Sequence, residues 1–498
     1  MKQDRRDFLI KGGCTLGMTA LATQMRHFGL MSALAQKVSD ENQDAVPSDY
    51  RALVCIFMSG GNDGNNTVIP NHNDATISNY TAYFNARNPA GLAIPQANLL
   101  PIAVPRMGGL SYGLHPGFGP QAAATNIVNT GIHDLWALGK MAAVTNVGTL
   151  VAPMTRTQWQ TNAVQRPFQL FSHSDQVSQY QGGRSDIESF TGWGGRISDL
   201  RTSPDNPNGL IPMITSISGA QLFTSGQTTL PLAIANAGTG LNNVLNPAGY
   251  NTTAASQARL AAFNQLRGVD LSSQIVAAAS HVTDQAISAN GVFQVSQEVT
   301  AVFPTTNIGQ QLKQVARLIK KRTDLSVNRQ VFFVQLGGFD THTNQITGQA
   351  GLFVQLSQAM RSFYDEMVVQ GIGDKVTQFT MADFSRTLAP TGTGAAIVGS
   401  DHAWANHHLV VGGGITASDF YGINTTNGTP FPTLTANGPD DADSGTGARG
   451  RWIPTASVEQ YAATLARWYG LPDANLVNVF PKIGNFTNTN LGFMQPPA

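Results

Sequence analysis

The feature that most constrains the fold is an uninterrupted apolar run that ends in a glycine-rich polar turn. Residues Arg51-Ala-Leu-Val-Cys-Ile-Phe-Met58 are followed by Ser59-Gly-Gly-Asn-Asp63-Gly-Asn-Asn-Thr67. Continuous apolar character without alternation is typical of a strand that is buried on both faces. The run therefore predicts a parallel strand that opens into a loop, with Cys55 as a small buried hydrophobe.

The same pattern recurs along the chain, and helix-like stretches separate the apolar runs. The further apolar runs lie at 141–147, 330–336, 376–381 and 409–411, and the helix-like stretches lie at 121–138, 310–321 and 351–370. Alternating strands and helices predict an α/β fold with a mostly parallel central sheet flanked by helices. Residues 185–310 are rich in Gly, Asn, Ala and Ser, and we expect them to form an inserted cap region.

The N-terminus has the features of an export signal. Asp4-Arg5-Arg6-Asp7-Phe8-Leu9 resembles the twin-arginine motif, and Ala33-Leu34-Ala35 provides a cleavage site. The apolar stretch between them is too short to span a membrane. We therefore expect residues 1–35 to be a twin-arginine signal peptide, 36–50 a linker and 51–498 the folded domain.

This organisation predicts the location and the first partner of the protein. The twin-arginine export machinery would be that partner, and the mature protein would be periplasmic or secreted, without a membrane attachment after processing. The first 35 residues carry five of the 30 basic and two of the 30 acidic residues, so residues 36–498 carry 25 and 28. A mildly acidic chain lacks the basic surface of a nucleic-acid-binding protein, so we expect no nucleic-acid partner.

Aspartates and histidines follow the predicted strands at the points where those strands end. Asp63 follows the first apolar run, Asp340 and His342 follow the run at 330–336, and Asp383 follows the run at 376–381. Because ligands bind at the carboxyl ends of parallel strands, we expect these side chains to converge there. Carboxylates and imidazoles are ligands for Zn²⁺, Mn²⁺ and Fe. Taken one at a time, each could equally be a helix cap or a loop residue.

Several motifs in this order resemble a known family. They are Phe57-Met58-Ser59-Gly-Gly-Asn-Asp63-Gly-Asn-Asn-Thr67, Leu114-His115-Pro116, Phe171-Ser172-His173-Ser174-Asp175-Gln176, Gly337-Gly-Phe-Asp340-Thr-His342, Asp383-Phe-Ser385-Arg386-Thr387 and Gly399-Ser-Asp401-His402-Ala-Trp404. Together with the signal, they resemble the family catalogued as domain of unknown function 1501, over almost the whole chain after the signal. That family is grouped with the alkaline phosphatase and sulfatase superfamily, which implies an alkaline phosphatase-like fold with metal ligands at the carboxyl edge.

The resemblance implies a set of site residues and a divalent metal ion, with zinc as one candidate. The implied metal ligands are Asp63, Asp340, His342, Asp383 and His402. The residue after Asp383 is Phe384 where the superfamily pattern has a histidine, which leaves Asp401 or His407 to replace it. Thr67 or Ser172 would be the nucleophile, and Arg386 would pair with anionic oxygens of the substrate.

The sequence thus leaves two functions open. The first is an exported metal-dependent hydrolase that acts on a small anionic substrate, a phosphate or sulfate ester. The alternative is a degenerate member of the fold that acts without catalysis as a periplasmic binding or assembly partner, with the inserted region as its contact surface. Metal content distinguishes the two.

Overall fold

The computed structural model describes residues 49–120, 131–243, 252–266, 268–269, 274–295, 298–392 and 398–496. The predicted signal peptide and most of the predicted linker lie outside the described residues. The first ten residues of the helix predicted at 121–138 do so as well.

Twelve strands and eleven α-helices make up the described regular structure. In chain order, the strands are β1 (Arg51–Ser59), β2 (Val68–Pro70), β3 (Leu100–Val104), β4 (Leu110–Leu114), β5 (Met141–Gly148), β6 (Ile214–Ser216), β7 (Leu232–Ala233), β8 (Arg329–Gly337), β9 (Val376–Ala382), β10 (Asn406–Gly412), β11 (Phe420–Tyr421) and β12 (Ala456–Ser457). The helices are α1 (Tyr80–Arg87), α2 (Asp134–Ala137), α3 (Arg156–Thr161), α4 (His173–Gly182), α5 (Trp193–Asp205), α6 (Ala254–Leu266), α7 (Gln274–Gln294), α8 (Asn307–Lys320), α9 (Gln345–Val369), α10 (Val458–Tyr469) and α11 (Leu476–Val479).

The central sheet confirms the predicted α/β class. Its strand order is β11-β5-β10-β9-β1-β8-β6-β7, and β12 also pairs with β5. Strand β1 lies between β8 and β9 and runs parallel to both. Strand β10 is antiparallel to β5 and β9, so the apolar run at 409–411 is a strand but not a parallel one. This direction brings the beginning of β10 to the edge where β1, β8 and β9 end.

Strand β1 is buried on both faces, which explains its continuous apolar sequence. Val54 and Ile56 belong to a core that includes residues of α8 and α9. Leu53 and Phe57 belong to a second core that includes residues of α5 and α10. Cys55 faces this second core without a disulfide, and burial raises the pKa of its thiol. The strand is therefore fixed by packing from two helical layers.

Part of the segment 185–310 belongs to the central sheet. Strand β6 pairs in parallel with β8, and β7 pairs in parallel with β6. Helices α6 and α7 of the same segment follow these strands. The segment thus extends one edge of the sheet in addition to supplying helices. Among the described residues, no helix is both long and apolar enough to cross a lipid bilayer.

Candidate metal centre at the carboxyl edge of the sheet

Five side chains from four segments of the chain meet where β8 and β9 end. We call them the His/Asp cluster. It consists of His173, Asp340, His342, Asp383 and His402. Asp340 and His342 follow β8, Asp383 follows β9, His402 precedes β10, and His173 is the first residue of α4. The predicted convergence is therefore found for four of the expected residues, and His173 joins them.

Gly60 allows the loops after β1, β8 and β9 to approach one another. Its φ angle is +112°, and a Cβ atom at this position would lie 2.4 Å from the backbone nitrogen of Asp340. Its own N–H donates to both carboxylate oxygens of Asp383, at 3.1 and 3.2 Å. Only glycine combines this left-handed backbone with such close contact. The glycine pair after the first predicted strand thus has a positioning role at the cluster.

The separations within the cluster fit a shared cation. His173 Nδ1 lies 2.7 Å from Asp383 Oδ2, and His173 Nε2 lies 3.4 Å from Asp340 Oδ1. His342 Nε2 lies 3.0 Å from His402 Nε2 and 3.2 Å from Asp340 Oδ1. Ligand atoms bound tetrahedrally to one zinc ion are about 3.3 Å apart, as bond lengths near 2.0–2.1 Å require.

Two further observations support a metal ion as the ligand of this cluster. One ligand atom each from His173, Asp340 and His402 lies within 4.8 Å of the others. His173 Nε2 is also buried without a hydrogen-bond partner among the described residues. A buried ring nitrogen that lies near a carboxylate and an imidazole but forms no hydrogen bond requires a partner. This set of donors suits zinc or another first-row divalent ion.

The charge of Arg386 favours the ionised form of Asp340. Burial raises the pKa of Asp340, but the hydrogen bond and charge of Arg386 outweigh it and hold that pKa below its usual value. The hydrogen bond that His173 donates to Asp383 raises the pKa of His173, whereas burial lowers the pKa of His402. Metal ligation requires a neutral imidazole, so the lowered pKa of His402 suits this role, whereas the raised pKa of His173 means that a proton competes with a metal ion for its ring.

Arg386 is buried inside the cluster and is fully engaged there. Its guanidinium donates to Asp340 Oδ1 at 2.5 Å and to the carbonyl oxygens of Gly60, Gly61, Phe339 and Ser400. Its Nη1 also lies 3.3 Å from His342 Nε2. These contacts use the five N–H groups of a guanidinium. The predicted role of Arg386 in binding substrate oxygens does not fit this position, because Arg386 holds Asp340 instead.

The imidazole that contacts Asp383 is that of His173 and not that of a residue directly after Asp383. The ring of Phe384 packs 4.6 Å from the rings of both His173 and His402 and forms an apolar wall of the cluster. The imidazole partner of Asp383 therefore comes from the start of α4. Sequence reasoning singled out the Ser172-His173-Ser174-Asp175 segment for its serine and missed its histidine. The only available signal was a histidine at the first position of a predicted helix.

Of the two residues expected to substitute for that histidine, Asp401 lies beside the cluster and His407 does not. Asp401 Oδ1 lies 3.3 Å from His342 Nδ1, on the side of the ring that faces away from His402. His407 lies within β10, accepts a hydrogen bond from the Asn146 N–H at 3.1 Å and stacks on Phe431. Burial lowers the pKa of His407 to about 3, so it is a neutral core histidine.

The structure does not bring Asp63 or Thr67 to the cluster either. The Asp63 carboxylate is buried, forms an ion pair with Arg87 and accepts hydrogen bonds from Asn65 and Gln345. Thr67 is also buried, and its hydroxyl donates to the carbonyl of Asp63 at 2.8 Å. Both residues stabilise the turn after β1. This structural role accounts for their position directly after a strand.

Ser172 is the predicted nucleophile that lies next to the cluster. It caps α4 directly before His173, and the carbonyl of the preceding Phe171 lies 2.8 Å from His402 Nδ1. Its hydroxyl donates to Asp175 Oδ2 at 2.5 Å. Ser172 thus combines partial exposure, a carboxylate partner and neighbours on both sides that contact the cluster.

Solved structures similar to this chain include an alkaline phosphatase, a sulfatase and a lipoteichoic acid synthase. A magnesium-bound mutant of TAB5 alkaline phosphatase shows 6% identity and a TM-score of 0.26, with 73% of this chain and 91% of that chain covered. PsFucS1 sulfatase from Pseudoalteromonas sp. shows 8% identity and a TM-score of 0.26, with 79% and 67% covered. The lipoteichoic acid synthase LtaP from Listeria monocytogenes shows 7% identity and a TM-score of 0.24, with 83% and 77% covered.

Sequence comparison identifies the family of the chain. No curated protein matches it. The sequence model of a family described as "Protein of unknown function (DUF1501)" matches residues 50–430, which is well over half of the chain and includes every residue of the His/Asp cluster. The chain therefore belongs to the DUF1501 family.

Proposed function

We propose that this protein is an exported metal-dependent hydrolase of phosphate or sulfate esters. The observation that carries the proposal is the convergence of three histidines and two aspartates at the carboxyl edge of the sheet, with His173 Nε2 buried among them without a hydrogen bond. His173, Asp340, His342 and His402 would hold the ion, with Asp383 beside them. A divalent ion bound there would polarise a phosphoryl or sulfuryl oxygen.

The residues around the ion have separate roles in this proposal. Ser172 is the candidate nucleophile, and Asp175 is the group that would take the proton of its hydroxyl. Arg386 would keep Asp340 ionised and oriented through its hydrogen bond and its charge. It would not bind substrate, because its donors are occupied by other groups of the protein. Phe384 would exclude water from the side of the cluster formed by His173 and His402.

Elemental analysis followed by an ester panel tests the proposal. The mature protein, purified from the periplasm, is expected to carry about one divalent ion per chain, since the candidate ligand atoms form one set among the described residues. It should hydrolyse at least one phosphate or sulfate monoester, and removal of the ion with a chelator should abolish this activity. A folded protein that stays metal-free after incubation with Zn²⁺ and Mn²⁺ would contradict the proposal.

A non-catalytic role as a binding or assembly partner is the second candidate. One observation favours it: two groups expected to act in catalysis, Thr67 and Arg386, are buried and hydrogen-bonded within the protein. A protein of this kind would show no ester hydrolysis with any metal ion, although its fold would be intact. The ester panel therefore separates the two candidates.

Export is proposed to depend on the arginine pair near the N-terminus. The double variant Arg5→Lys, Arg6→Lys keeps the charge of the segment but removes the motif, so uncleaved precursor is expected to accumulate in the cytoplasm. Cell fractionation and immunoblotting measure this outcome. Arg26→Lys, the same chemical change outside the pair, should be exported normally. Normal periplasmic accumulation of the double variant would refute the signal assignment.

A further inference from the structure

The loop before β12 contacts His402 of the His/Asp cluster and its neighbour Asp401. Arg449 forms an ion pair with Asp401, and Arg451 donates to the carbonyl oxygen of His402 at 2.7 Å. Both arginines lie after residue 430, where the match to the family model ends. Their contacts place this C-terminal loop directly against the candidate metal centre.

Hydrogen bonds from buried and half-buried groups fix the loop that carries these arginines. Asp441 accepts hydrogen bonds from the N–H groups of Gly450 and Arg451, at 3.0 and 2.9 Å. Asp443 accepts one from the N–H of Arg449 at 3.0 Å and pairs with the Arg451 guanidinium. The Arg449 guanidinium also donates to the carbonyl of Pro390 at 2.8 Å. The Arg449 guanidinium is therefore held in place beside Asp401 by its backbone contact with Asp443 and its side-chain contact with Pro390.

Asp401 contacts the nitrogen of His342 that faces away from the cluster. Its Oδ1 lies 3.3 Å from His342 Nδ1, while Oδ2 pairs with Arg449. His342 Nε2 faces Asp340, His402 and Arg386 Nη1, at 3.2, 3.0 and 3.3 Å. A carboxylate that accepts a hydrogen bond from one ring nitrogen fixes the tautomer in which the other nitrogen is free to bind a metal ion. Because the His342 side chain is 44% exposed, packing alone does not fix its ring.

We propose that Asp401 and Arg449 are positioning residues that hold His342 with its Nε2 toward the ion, and that Asp401 is not a metal ligand. The role of His342 as a metal ligand rests on the proposed function, whereas the orientation of the His342 ring by Asp401 does not. Arg449 holds the Asp401 carboxylate, Asp401 holds Nδ1 of His342, and Nε2 then completes the ligand set around Asp340 and His402. The C-terminal loop is in this way part of the metal centre.

Zinc affinity of the full-length protein tests this proposal, measured by competition with a chromophoric chelator. Arg449→Met and Asp401→Ala are each expected to weaken zinc binding about 10- to 100-fold, the usual effect of removing an outer partner of a ligating histidine, without changing the stoichiometry. The double variant should be no weaker than Asp401→Ala, because both residues act through one contact. Asp401→Asn should keep most of the affinity, since its amide oxygen still accepts from Nδ1–H.

A matched control contacts the same loop from helix α3. Arg156 donates to the Asn437 side chain and to the carbonyl of Asp443, but neither of these groups contacts His342. Arg156→Met therefore removes a comparable loop contact and should leave zinc affinity unchanged. An equal loss of affinity in this control would show that Arg449→Met acts by loosening the loop, which would overturn the positioning role.

Nitrogen-15 NMR of the metal-free protein, with the His342 signal assigned from the His342→Gln variant, provides a readout that does not depend on a metal. His342 should be protonated at Nδ1 in the wild type and shift toward the Nε2–H tautomer in Asp401→Ala. Unchanged affinity together with an unchanged tautomer would overturn the proposal, and so would loss of stoichiometry in Asp401→Ala, which would make Asp401 a ligand. A wild type that binds no zinc but shows the predicted tautomer shift would refute the proposed function and leave the orientation of His342 by Asp401 supported.

Discussion

Replacing Asp340 with asparagine is expected to remove the metal ion and ester hydrolysis together while leaving the fold intact. Asp340 Oδ1 lies within 4 Å of the Nε2 atoms of His173, His342 and His402, so it is the common anionic partner of the cluster. Asparagine keeps the shape and still accepts from Arg386, but it loses the charge that holds a cation. We expect zinc affinity to fall more than about 100-fold, beyond the effect of losing an outer partner.

The stability of this variant provides the second half of the test. Arg386 is buried, but the Asp340 side chain is 51% exposed and asparagine still accepts a hydrogen bond from Arg386, so the loss in the free energy of unfolding should stay below about 3–5 kcal/mol, the cost of breaking a pair that is buried on both sides. Asp374→Asn is the matched control, because Asp374 is an exposed carboxylate near the opposite end of β9 and lies outside the cluster. Elemental analysis, ester hydrolysis and urea denaturation measure the outcome. Full metal content in Asp340→Asn would exclude Asp340 from the ligand set.

The sequence predicted the central sheet because burial on both faces leaves a continuous apolar run. Strands β1, β8 and β9 each satisfy this condition, and parallel strands of this kind align their carboxyl ends. The direction of β10 could not be predicted in the same way. A strand buried on both faces has the same apolar sequence whether it runs parallel or antiparallel, and only its pairing with β5 and β9 determines its direction.

The site was predictable where strand ends position the residues and unpredictable where distant contacts decide their role. Asp340, His342, Asp383 and His402 converge as expected, because they lie at or near one edge of the sheet. His173 joins them from the first turn of α4, which does not follow any of these strands along the chain. The position of His173 depends on contacts between segments more than 200 residues apart, such as its hydrogen bond with Asp383, and no local spacing records such a contact.

Asp63 illustrates the opposite case, a strand-end carboxylate with a role in stability. Its sequence position is that of a metal ligand, since it follows β1 through a glycine-rich turn. The decisive partner is Arg87, 24 residues later at the end of α1, whose side chain is fully buried and forms the ion pair. Burial raises the pKa of Asp63, and the charge of Arg87 offsets part of that rise. The pair is therefore desolvated, and each member depends on the other.

Replacing Asp63 with asparagine is expected to destabilise the protein without removing the metal ion. The substitution leaves the Arg87 guanidinium buried without a counter-charge, and breaking a buried ion pair in this way costs about 3–5 kcal/mol. Urea denaturation at pH 7 measures the loss, and elemental analysis of the folded variant should give the same metal content as the wild type. Asp473→Asn, which breaks the exposed ion pair with Arg467, should cost less than about 1 kcal/mol.

A double variant distinguishes loss of the counter-charge from a general defect in packing. In Asp63→Leu with Arg87→Met, both charges are gone, and an apolar pair of similar volume can occupy a buried site at little cost. The double variant should therefore be more stable than Asp63→Leu alone, although the hydrogen bonds that Asp63 accepts from Asn65 and Gln345 are lost in both. If Asp63→Asn instead loses the metal ion and keeps wild-type stability, Asp63 is a ligand and the ion pair with Arg87 is not its main role.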